Sequence, residues 1–390
     1  MYNMTQGSKV AKEAFDTYLI IYLTNQEAQK NIMFYIPTRV FTGKDALINN
    51  KEYLTRLGYK ALIVTGKGSA KKNGSYNDVI DILKESKIEY SVYEGINENP
   101  TVESIMDARD YGVLEACDFV IGIGGGSALD ASKAISLMMY HKDSSWEYLY
   151  DSSVSSDMLP VAAIPTTCGT GSEVTGVSVL TRLDLKTKKS SVHKLYPTVA
   201  FVDGKYLKTA PSSIICNTAM DSLAHMIEGL VHKKATDYTR MCASSGLELW
   251  RSVKDVISGD RQATDEDLQN LMDASTMAGM TIAQTGTTIP HALSYPITIG
   301  LNIPHGKSVS YFQAEFLKAM DKADRDWILR KAGLKDPDEL DELFKKACNP
   351  EEIPLKYREI AYEELCSNKA KLSSVPFKID DNVLRKIAGI

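Results

Sequence analysis

Residues 118–134, DFVIGIGGGSALDASKA, pass from an apolar segment through three consecutive glycines into a segment with the apolar spacing of a helix. Glycines let a backbone approach a ligand closely, and the free N–H groups at the start of a helix attract anions. The stretch predicts a strand, a turn and a helix that bind a dinucleotide pyrophosphate through Gly124, Gly125, Gly126, Ser127 and Asp130. The order GGGSxxD differs from the common GxGxxG fingerprint, and a turn without any ligand is the alternative.

Apolar, β-rich runs recur on both sides of this stretch and alternate with charged segments of helical length. Strands that alternate with helices predict a parallel sheet that helices cover on both faces. Beyond residue 209 apolar residues recur at helical spacing instead, which predicts helices only. The predicted strands lie within residues 34–43, 60–66, 89–95, 117–126, 159–167 and 197–204, and the predicted helices within residues 77–87, 101–115, 217–232, 238–258, 265–284 and 307–319.

The helical half of the sequence contains a candidate metal site. Asp221 and His225 are four residues apart in a helical segment, so their side chains project from one face. His291 and His305 each follow a proline, and Pro296 is expected to interrupt the stretch between them. One carboxylate and three neutral imidazoles suit Fe(II) or Zn(II) and leave a coordination position for a substrate oxygen. Each histidine alone is better explained by a packed or surface position, and only their combination favours a metal site.

Two further turns complete the predicted cofactor site. Residues 64–74, VTGKGSAKKNG, place Gly66 and Ser69 where an adenosine ribose would lie, with Lys71 and Lys72 close behind. Because the lysines would attract a 2′-phosphate, we predict NADP or NAD with NADP preferred, although both lysines also suit a solvated face. Residues 164–175 contain five hydroxyl side chains, which suit a nicotinamide or its phosphates and equally a polar surface loop. The candidate cofactor residues of this region are Thr166, Thr167, Thr170 and Lys188.

The composition excludes several classes of function. The chain has 390 residues, a net charge of -5 and no block of basic residues, which argues against nucleic acid and against an anionic membrane surface as partners. No apolar run approaches the ~20 residues that a membrane-spanning helix needs. The predicted partners are a small molecule and further copies of the chain, in a homodimer or higher homo-oligomer.

The cysteines and the remaining histidines indicate no second metal site. Six cysteines are scattered without a CxxC pair, which predicts reduced thiols in the cytoplasm and argues against a structural zinc site. His141, His193 and His232 lie outside the candidate metal site. His232 stands beside Lys233 and Lys234 and is predicted to act as a cation at a helix C-terminus.

Several linked motifs in this order resemble the iron-containing (group III) alcohol dehydrogenases, a family related to glycerol dehydrogenases and dehydroquinate synthases. The resemblance covers nearly everything from residue 36 onward, through GGGSALDASKA, PTTCGTGSEVT, MDSLAHMIEG and HALSYPITIGLNIPHG. It implies that Asn99 contacts the adenine ribose, and that the glycine turn and the threonine-rich loop bind the cofactor. It also implies that the metal ligands are Asp221, His225, His291 and His305.

The residue patterns and the resemblance together predict an α/β N-terminal domain and an all-α C-terminal domain. Residues 1–32 are predicted to form an N-terminal extension. Residues 33–205 are predicted to form a dinucleotide-binding domain, a parallel sheet with flanking helices, and residues 206–390 a helical metal-binding domain.

The chain departs from the family at Tyr295. Many members have a second histidine four residues after the first of the late pair, near the nicotinamide, where this chain has Tyr295. A tyrosine with its usual pKa near 10 is a poor base at neutral pH, which puts the family's histidine proton relay in doubt but not the metal site. Strictly NAD-using relatives tend to have an aspartate in place of Gly66, which agrees with the preference for NADP. The candidate catalytic residues are Tyr295, His225 and His305.

The predicted function is a metal-dependent, NAD(P)-linked alcohol dehydrogenase or aldehyde reductase. The metal would polarise the carbonyl oxygen of a small aldehyde while the nicotinamide delivers hydride. The range of substrates in the family includes aldehydes with an anionic group such as sulfonate or phosphonate. The alternatives are a dehydroquinate-synthase-like or glycerol-dehydrogenase-like enzyme of the same superfamily and, in a different class, a non-catalytic metal or nucleotide sensor. Net NAD(P)H consumption with an aldehyde would separate a dehydrogenase from the lyase and from the sensor.

Overall fold

The computed structural model describes residues 33–185 and 187–390, and the predicted extension at residues 1–32 lies outside the described residues. The strands in the described part of the chain are β1 (Arg39–Thr42), β2 (Lys60–Thr65), β3 (Glu89–Tyr93), β4 (Phe119–Gly124), β5 (Val161–Pro165), β6 (Val179–Arg182), β7 (Thr187–Ser190) and β8 (Val199–Val202). Six of them form one sheet in the order β1-β8-β5-β4-β2-β3, and every neighbouring pair is parallel. The strands β6 and β7 pair separately as an antiparallel hairpin.

The unbroken apolar runs of the central strands follow from burial on both faces. Nearly every residue of β2, β4, β5 and β8 is buried. Alternate side chains of β2 pack on opposite faces, Leu62 and Val64 in one apolar cluster and Ala61 and Ile63 in another. Each strand of the parallel sheet lies within a predicted run, which confirms the α/β prediction for this half. The β6–β7 hairpin was not predicted.

Helices flank the sheet and make up the C-terminal region. Among the described residues they are α1 (Ala46–Asn49), α2 (Lys51–Thr55), α3 (Ser69–Asn73), α4 (Ser75–Glu85), α5 (Val102–Leu114), α6 (Gly126–Tyr140), α7 (Ser212–Val231), α8 (Asp237–Ser252), α9 (Lys254–Ile257), α10 (Asp265–Thr285), α11 (Ile289–Leu301), α12 (His305–Ser310), α13 (Gln313–Lys318), α14 (Lys322–Ala332), α15 (Pro337–Cys348), α16 (Leu355–Ser367), α17 (Lys369–Leu372) and α18 (Asp381–Ala388). Short 3-10 turns lie at Trp146–Tyr150, Ser172–Val174 and Gly204–Leu207.

The helical prediction beyond residue 209 is confirmed in type, with differences in where helices begin and end. The segment predicted at residues 238–258 divides at Val253, and that at residues 307–319 divides before Gln313. The predicted interruption at Pro296 is wrong, because α11 continues through this residue. Proline removes one N–H donor but does not by itself end a helix whose neighbours are packed. The domain boundary near residue 205 stays a prediction.

Helix α7 is the centre of the helical region. From Cys216 to Val231 nearly all of its side chains are buried, and the apolar ones belong to the largest core cluster. Helices α8, α10 and α12 pack around it. None of the helices in the described ranges has the length and apolar character that crossing a membrane requires. All six cysteines fall in those ranges and are free thiols.

Candidate active site

A cavity of about 980 Å³ is lined by residues that follow the carboxyl ends of β2, β4 and β5 and by residues of α7, α11 and α12. The carboxyl ends of parallel strands are where ligands bind in open α/β sheets. Every residue that the sequence singled out lines this cavity: Gly66, Ser69, Asn99, Gly124, Gly125, Gly126, Ser127, Asp130, Thr166, Thr167, Thr170, Lys188, Asp221, His225, His291, Tyr295 and His305. The structure brings the predicted cofactor and metal residues together, while their individual roles stay predictions.

The glycine turn lies directly against the threonine-rich loop. Gly125 precedes α6 and Gly126 begins it. A Cβ atom at Gly125 would lie 2.9 Å from the Thr167 hydroxyl oxygen, and one at Gly126 would lie 2.7 Å from the Thr170 methyl carbon. Only glycines therefore allow the two segments to approach this closely, and together they present backbone N–H groups and hydroxyls to one ligand.

Asp130 and Lys133 hold the threonine-rich loop in place from α6. The Asp130 carboxylate accepts hydrogen bonds from the Ser172 hydroxyl at 2.5 Å and from the Val179 N–H at 2.9 Å. Lys133 is fully buried, pairs with Asp130 at 3.0 Å and donates to the Ser172 carbonyl at 3.0 Å. Asp130 lines the cavity, but protein donors already occupy both of its oxygens.

The predicted ribose end of the cavity has a basic side chain and no acid in its glycine turn. Gly66, Ser69 and Lys72 line the cavity, whereas Lys71 pairs with Glu94. Asn99 has a left-handed backbone, with φ +57°, and its N–H donates to the Ser127 hydroxyl at 3.2 Å. This bond connects the turn after β3 to the glycine turn.

Three of the four predicted metal ligands converge on one point. Ligand atoms of Asp221, His291 and His305 all lie within 4.8 Å of one another. Asp221 Oδ1 lies 3.6 Å from His291 Nε2 and 4.0 Å from His305 Nε2. His225 stands beside this group, with its ring centroid 4.5 Å from that of His291. Its Nδ1 faces the Gly169 carbonyl oxygen at 3.2 Å, which leaves Nε2 available as a ligand atom.

The donor set fits a divalent cation. Asp221 Oδ1, His291 Nε2 and His305 Nδ1 are buried polar atoms without a hydrogen-bond partner in the described part of the chain. Buried polar atoms are almost always satisfied, so a group of orphans that face one another indicates a missing ligand. Carboxylate and imidazole are ligands that Fe(II) and Zn(II) both accept.

Glu228 fixes the orientation of the His291 ring. Its carboxylate, fully buried on α7, lies 2.5 Å from His291 Nδ1. It also accepts hydrogen bonds from the Thr288 N–H at 2.6 Å and from the Gln313 amide at 2.9 Å. A carboxylate on one ring nitrogen of a ligating histidine leaves the lone pair on the other nitrogen and directs it at the metal.

The charges of these buried groups depend on one another. Burial raises the pKa of Asp221, but His225, His291 and His305 outweigh it and hold that pKa below the usual range. Burial lowers the pKa of His225 and lowers that of His305 to about 3, so both imidazoles are neutral at pH 7. At His291 the charges of Glu228 and Asp221 overcome burial and raise the pKa to about 9. The proton that His291 holds between two carboxylates is the charge that a bound cation would replace.

Tyr295 lies one helical turn after His291 and stacks near His305. The Tyr295 and His305 ring centroids are 6.0 Å apart with an angle of 13° between the planes. Burial raises the pKa of Tyr295 to about 12. The phenol is therefore a hydrogen-bond donor at neutral pH, as its identity in the sequence suggested.

Sequence analysis missed several residues of the site. Glu228 follows Asp221 by seven positions and His225 by three, and this same-face spacing on α7 was a signal that could have found it. Asn217 lines the cavity one turn before Asp221, and its Oδ1 has no partner among the described residues. Lys371 also lines the cavity, and no local pattern marks it. The prediction that His232 is a cation is wrong, because burial lowers its pKa to about 4.

Comparison with known families gives matches along most of the chain. The family model described as iron-containing alcohol dehydrogenase matches residues 37–204. The model of the C-terminal part of the Fe-containing alcohol dehydrogenase family matches residues 215–364. The first covers the parallel sheet with the glycine turn, and the second covers all four predicted metal ligands.

Individual relatives agree with the family models. An NADPH-dependent butanol dehydrogenase of Clostridium saccharobutylicum is 31% identical over 285 residues, which are 70% of each chain. A sulfoacetaldehyde reductase of Bilophila wadsworthia is 31% identical over 256 residues, 65% of each chain. The solved structure of an iron-containing alcohol dehydrogenase from Thermotoga maritima superposes with a TM-score of 0.83 at 32% identity, and the match covers 92% of this chain and 100% of that one.

Proposed function

The chain belongs to the iron-containing alcohol dehydrogenase family, and we propose that it interconverts a small aldehyde and its primary alcohol by hydride transfer with NADP or NAD. One observation supports this most. The buried, unpartnered Asp221 Oδ1 and His291 Nε2 lie in the same cavity as the glycine turn at Gly124. A binding site for a cation and one for a dinucleotide in a single cavity are what hydride transfer to a polarised carbonyl requires.

The residues of the chain divide this work. When bound, a divalent cation polarises a carbonyl oxygen as a Lewis acid, and a nicotinamide supplies or accepts the hydride. We assign cation binding to Asp221, His225, His291 and His305. The N–H groups at the start of α6 bind pyrophosphate, and the Tyr295 phenol donates a hydrogen bond without removing a proton. Fe(II) is the proposed cation, with Zn(II) as the alternative.

We propose NADP as the preferred cofactor. Gly66, Ser69 and Lys72 line the cavity at the turn after β2, and residues 66–72 contain no acid. A carboxylate at this position would repel a 2′-phosphate, whereas a lysine attracts it. The relative from Clostridium saccharobutylicum is named NADPH-dependent, which agrees with this choice.

We propose a short substrate, including one with an anionic group. The relatives are named for butanol and for sulfoacetaldehyde, which share a primary alcohol or its aldehyde on a short chain. The family match favours a dehydrogenase over the dehydroquinate-synthase-like alternative.

The experiment measures NAD(P)H oxidation by stripped and reloaded protein. We expect no turnover of short aldehydes after chelation, recovery on adding Fe(II) under anaerobic conditions or Zn(II), and a higher kcat/KM with NADPH than with NADH. The His305→Ala variant removes one imidazole from the candidate cation site. It should lose turnover by at least about 10³-fold, because the Lewis acid supplies several kcal/mol of transition-state stabilisation.

The control is His193→Ala, which removes a buried histidine that lies outside the cavity lining. This variant should keep both its metal content and its turnover. Binding of NADPH to His305→Ala, followed by nicotinamide fluorescence, should stay within a few-fold of wild type. Full activity in metal-free protein would overturn the proposal.

A further inference from the structure

Lys371 is a buried cation for which the predicted cofactor and metal sites have no use. It begins no long helix but lies on the short α17, and its side chain lines the cavity. Its Nζ donates hydrogen bonds to the Thr287 carbonyl oxygen at 2.5 Å and to the Thr287 hydroxyl at 2.8 Å. An ammonium has three donors, so one remains for a ligand. Both protein acceptors are uncharged, and the positive charge is not neutralised by them.

No carboxylate pairs with this ammonium in the described part of the chain. None of the ion pairs among residues 33–185 and 187–390 includes Lys371, and the acid whose charge acts on it is Glu228. That carboxylate is already engaged by other partners, namely His291, Thr288 and Gln313. An unpaired charge away from water is costly, and an anion from a ligand would remove the cost.

The other titratable neighbours do not supply the missing negative charge. Lys234 is a like charge, and His232 is neutral. Burial, assisted by Lys234, lowers the pKa of Lys371 to about 8. The ammonium form therefore still dominates at pH 7 and is available to bind an anion.

Lys371 lies at the metal end of the cavity. Its acceptor Thr287 is within hydrogen-bonding reach of Tyr295, and Tyr295 stacks near His305. The lysine is thus linked through two side chains to a predicted metal ligand. The groups in this chain of contacts belong to α11, α12 and α17 and not to the glycine turn, so the position suits the substrate and not the cofactor phosphates.

We propose that Lys371 binds an anionic group at the end of the substrate opposite its carbonyl. The substrate class is then a short aldehyde that carries a sulfonate, phosphonate or carboxylate, or the corresponding alcohol. The inference rests on the proposed function, since it concerns the substrate of the same site. Charge-assisted hydrogen bonds in a dry site are strong, and removing this one should lower kcat/KM for the anionic aldehyde by about 10- to 100-fold.

The experiment compares two aldehydes of similar length on the metal-loaded enzyme. Sulfoacetaldehyde carries the anion, and propanal is its uncharged counterpart. Wild type should prefer sulfoacetaldehyde, and Lys371→Met should lose that preference while reducing propanal within about two-fold of wild type. Lys371→Arg, which retains the charge, should recover part of the loss. The matched control is Lys369→Met, which removes an exposed lysine from the same short helix.

Inhibition by ethanesulfonate gives a readout that does not depend on turning over the anion. Its inhibition constant against propanal should rise by about 10-fold or more in Lys371→Met and stay unchanged in Lys369→Met. Parallel loss of both aldehydes in Lys371→Met would make the lysine structural or a proton donor and would overturn the inference. So would a wild type that reduces propanal without preferring the anion, with the proposed function left intact. If wild type reduces neither aldehyde, the proposed function itself fails.

Discussion

At the scale of single residues, the two ring nitrogens of His291 serve different purposes. Nδ1 lies 2.5 Å from the Glu228 carboxylate, and Nε2 is buried without a partner in the described residues. The carboxylate selects the tautomer with its proton on Nδ1, so the lone pair on Nε2 is directed at the cation position. Glu228 is therefore a positioning residue for the candidate metal site.

Replacing Glu228 with glutamine should weaken cation binding without unfolding the protein. The amide keeps the shape but loses the charge that orients His291, and changes of this kind lower metal affinity by about 10- to 100-fold. Competition with a chromogenic chelator would measure the affinity. Glu173→Gln is the control, because Glu173 is also buried but bonds to Thr276. Equal affinity in wild type and Glu228→Gln would contradict this role.

Tyr295→Phe should have a limited effect on turnover. Because burial raises the pKa of Tyr295 to about 12, the phenol stays protonated from pH 6 to 10 and adds no ionisation to the rate profile in that range. Loss of one neutral hydrogen bond predicts a fall in kcat of about 10-fold or less. The measurement is kcat against pH for both proteins. A loss of about 10³-fold, or an ionisation that disappears with the hydroxyl, would show that Tyr295 is the acid or base.

Residue types and spacing were sufficient to predict Asp221, His225, His291 and His305, because each side chain has few explanations in such a combination. They were not sufficient for Lys371. A lysine in the sequence KAKL resembles any solvated lysine, and its value comes from Thr287, 84 residues away in the chain. Only tertiary structure could identify it.

At the scale of elements, the site depends on how closely α12 approaches α7. Gly306 follows His305, and a Cβ atom at this position would overlap the Asn217 carbonyl oxygen and lie 2.8 Å from Asp221 Cβ. The glycine therefore lets the start of α12 lie directly on α7, which brings His305 to Asp221. The packing of two helices, and not either helix alone, forms the candidate metal site.

Gly306→Ala should separate the two helices and reduce cation binding. Overpacking of this kind costs about 1–3 kcal/mol, and the displaced His305 would no longer reach the cation. Metal content after dialysis and the midpoint of thermal unfolding would measure both effects. Gly68→Ala is the control, since nothing lies within 4 Å of a Cβ atom there. Full metal content in Gly306→Ala would argue against the close packing as a requirement.

The elements differed in how well the sequence predicted them. The central strands were predictable because burial on both faces requires continuous apolar runs such as FVIGIG in β4. The β6–β7 hairpin was missed because VLTR and TKKS are short and partly exposed, and no apolar alternation marks them. Pro296 misled the prediction because the packing of α11 compensates for one missing donor.

At the scale of the whole molecule, the predicted ligands bind parts of the chain that are far apart in sequence. The glycine turn and the threonine-rich loop belong to the sheet region, whereas Asp221, His291 and His305 belong to three different helices. The loop joins the two regions: a Cβ atom at Gly171 would overlap the backbone of Gly279 on α10. A homodimer or higher homo-oligomer stays a prediction.

Because a cation would bridge α7, α11 and α12 only in the folded chain, its binding should stabilise the fold. A ligand at 100 times its Kd stabilises the native state by about 2.7 kcal/mol if the unfolded chain does not bind it. We expect the midpoint of thermal unfolding to rise by a few degrees with Zn(II), and to rise again with NADPH. Asp221→Asn should abolish the shift caused by Zn(II) and preserve the shift caused by NADPH, because Asp221 belongs to the candidate cation site alone. A Zn(II) shift of equal size in Asp221→Asn would mean that the cation binds elsewhere, and a lost NADPH shift would mean that the two sites depend on each other.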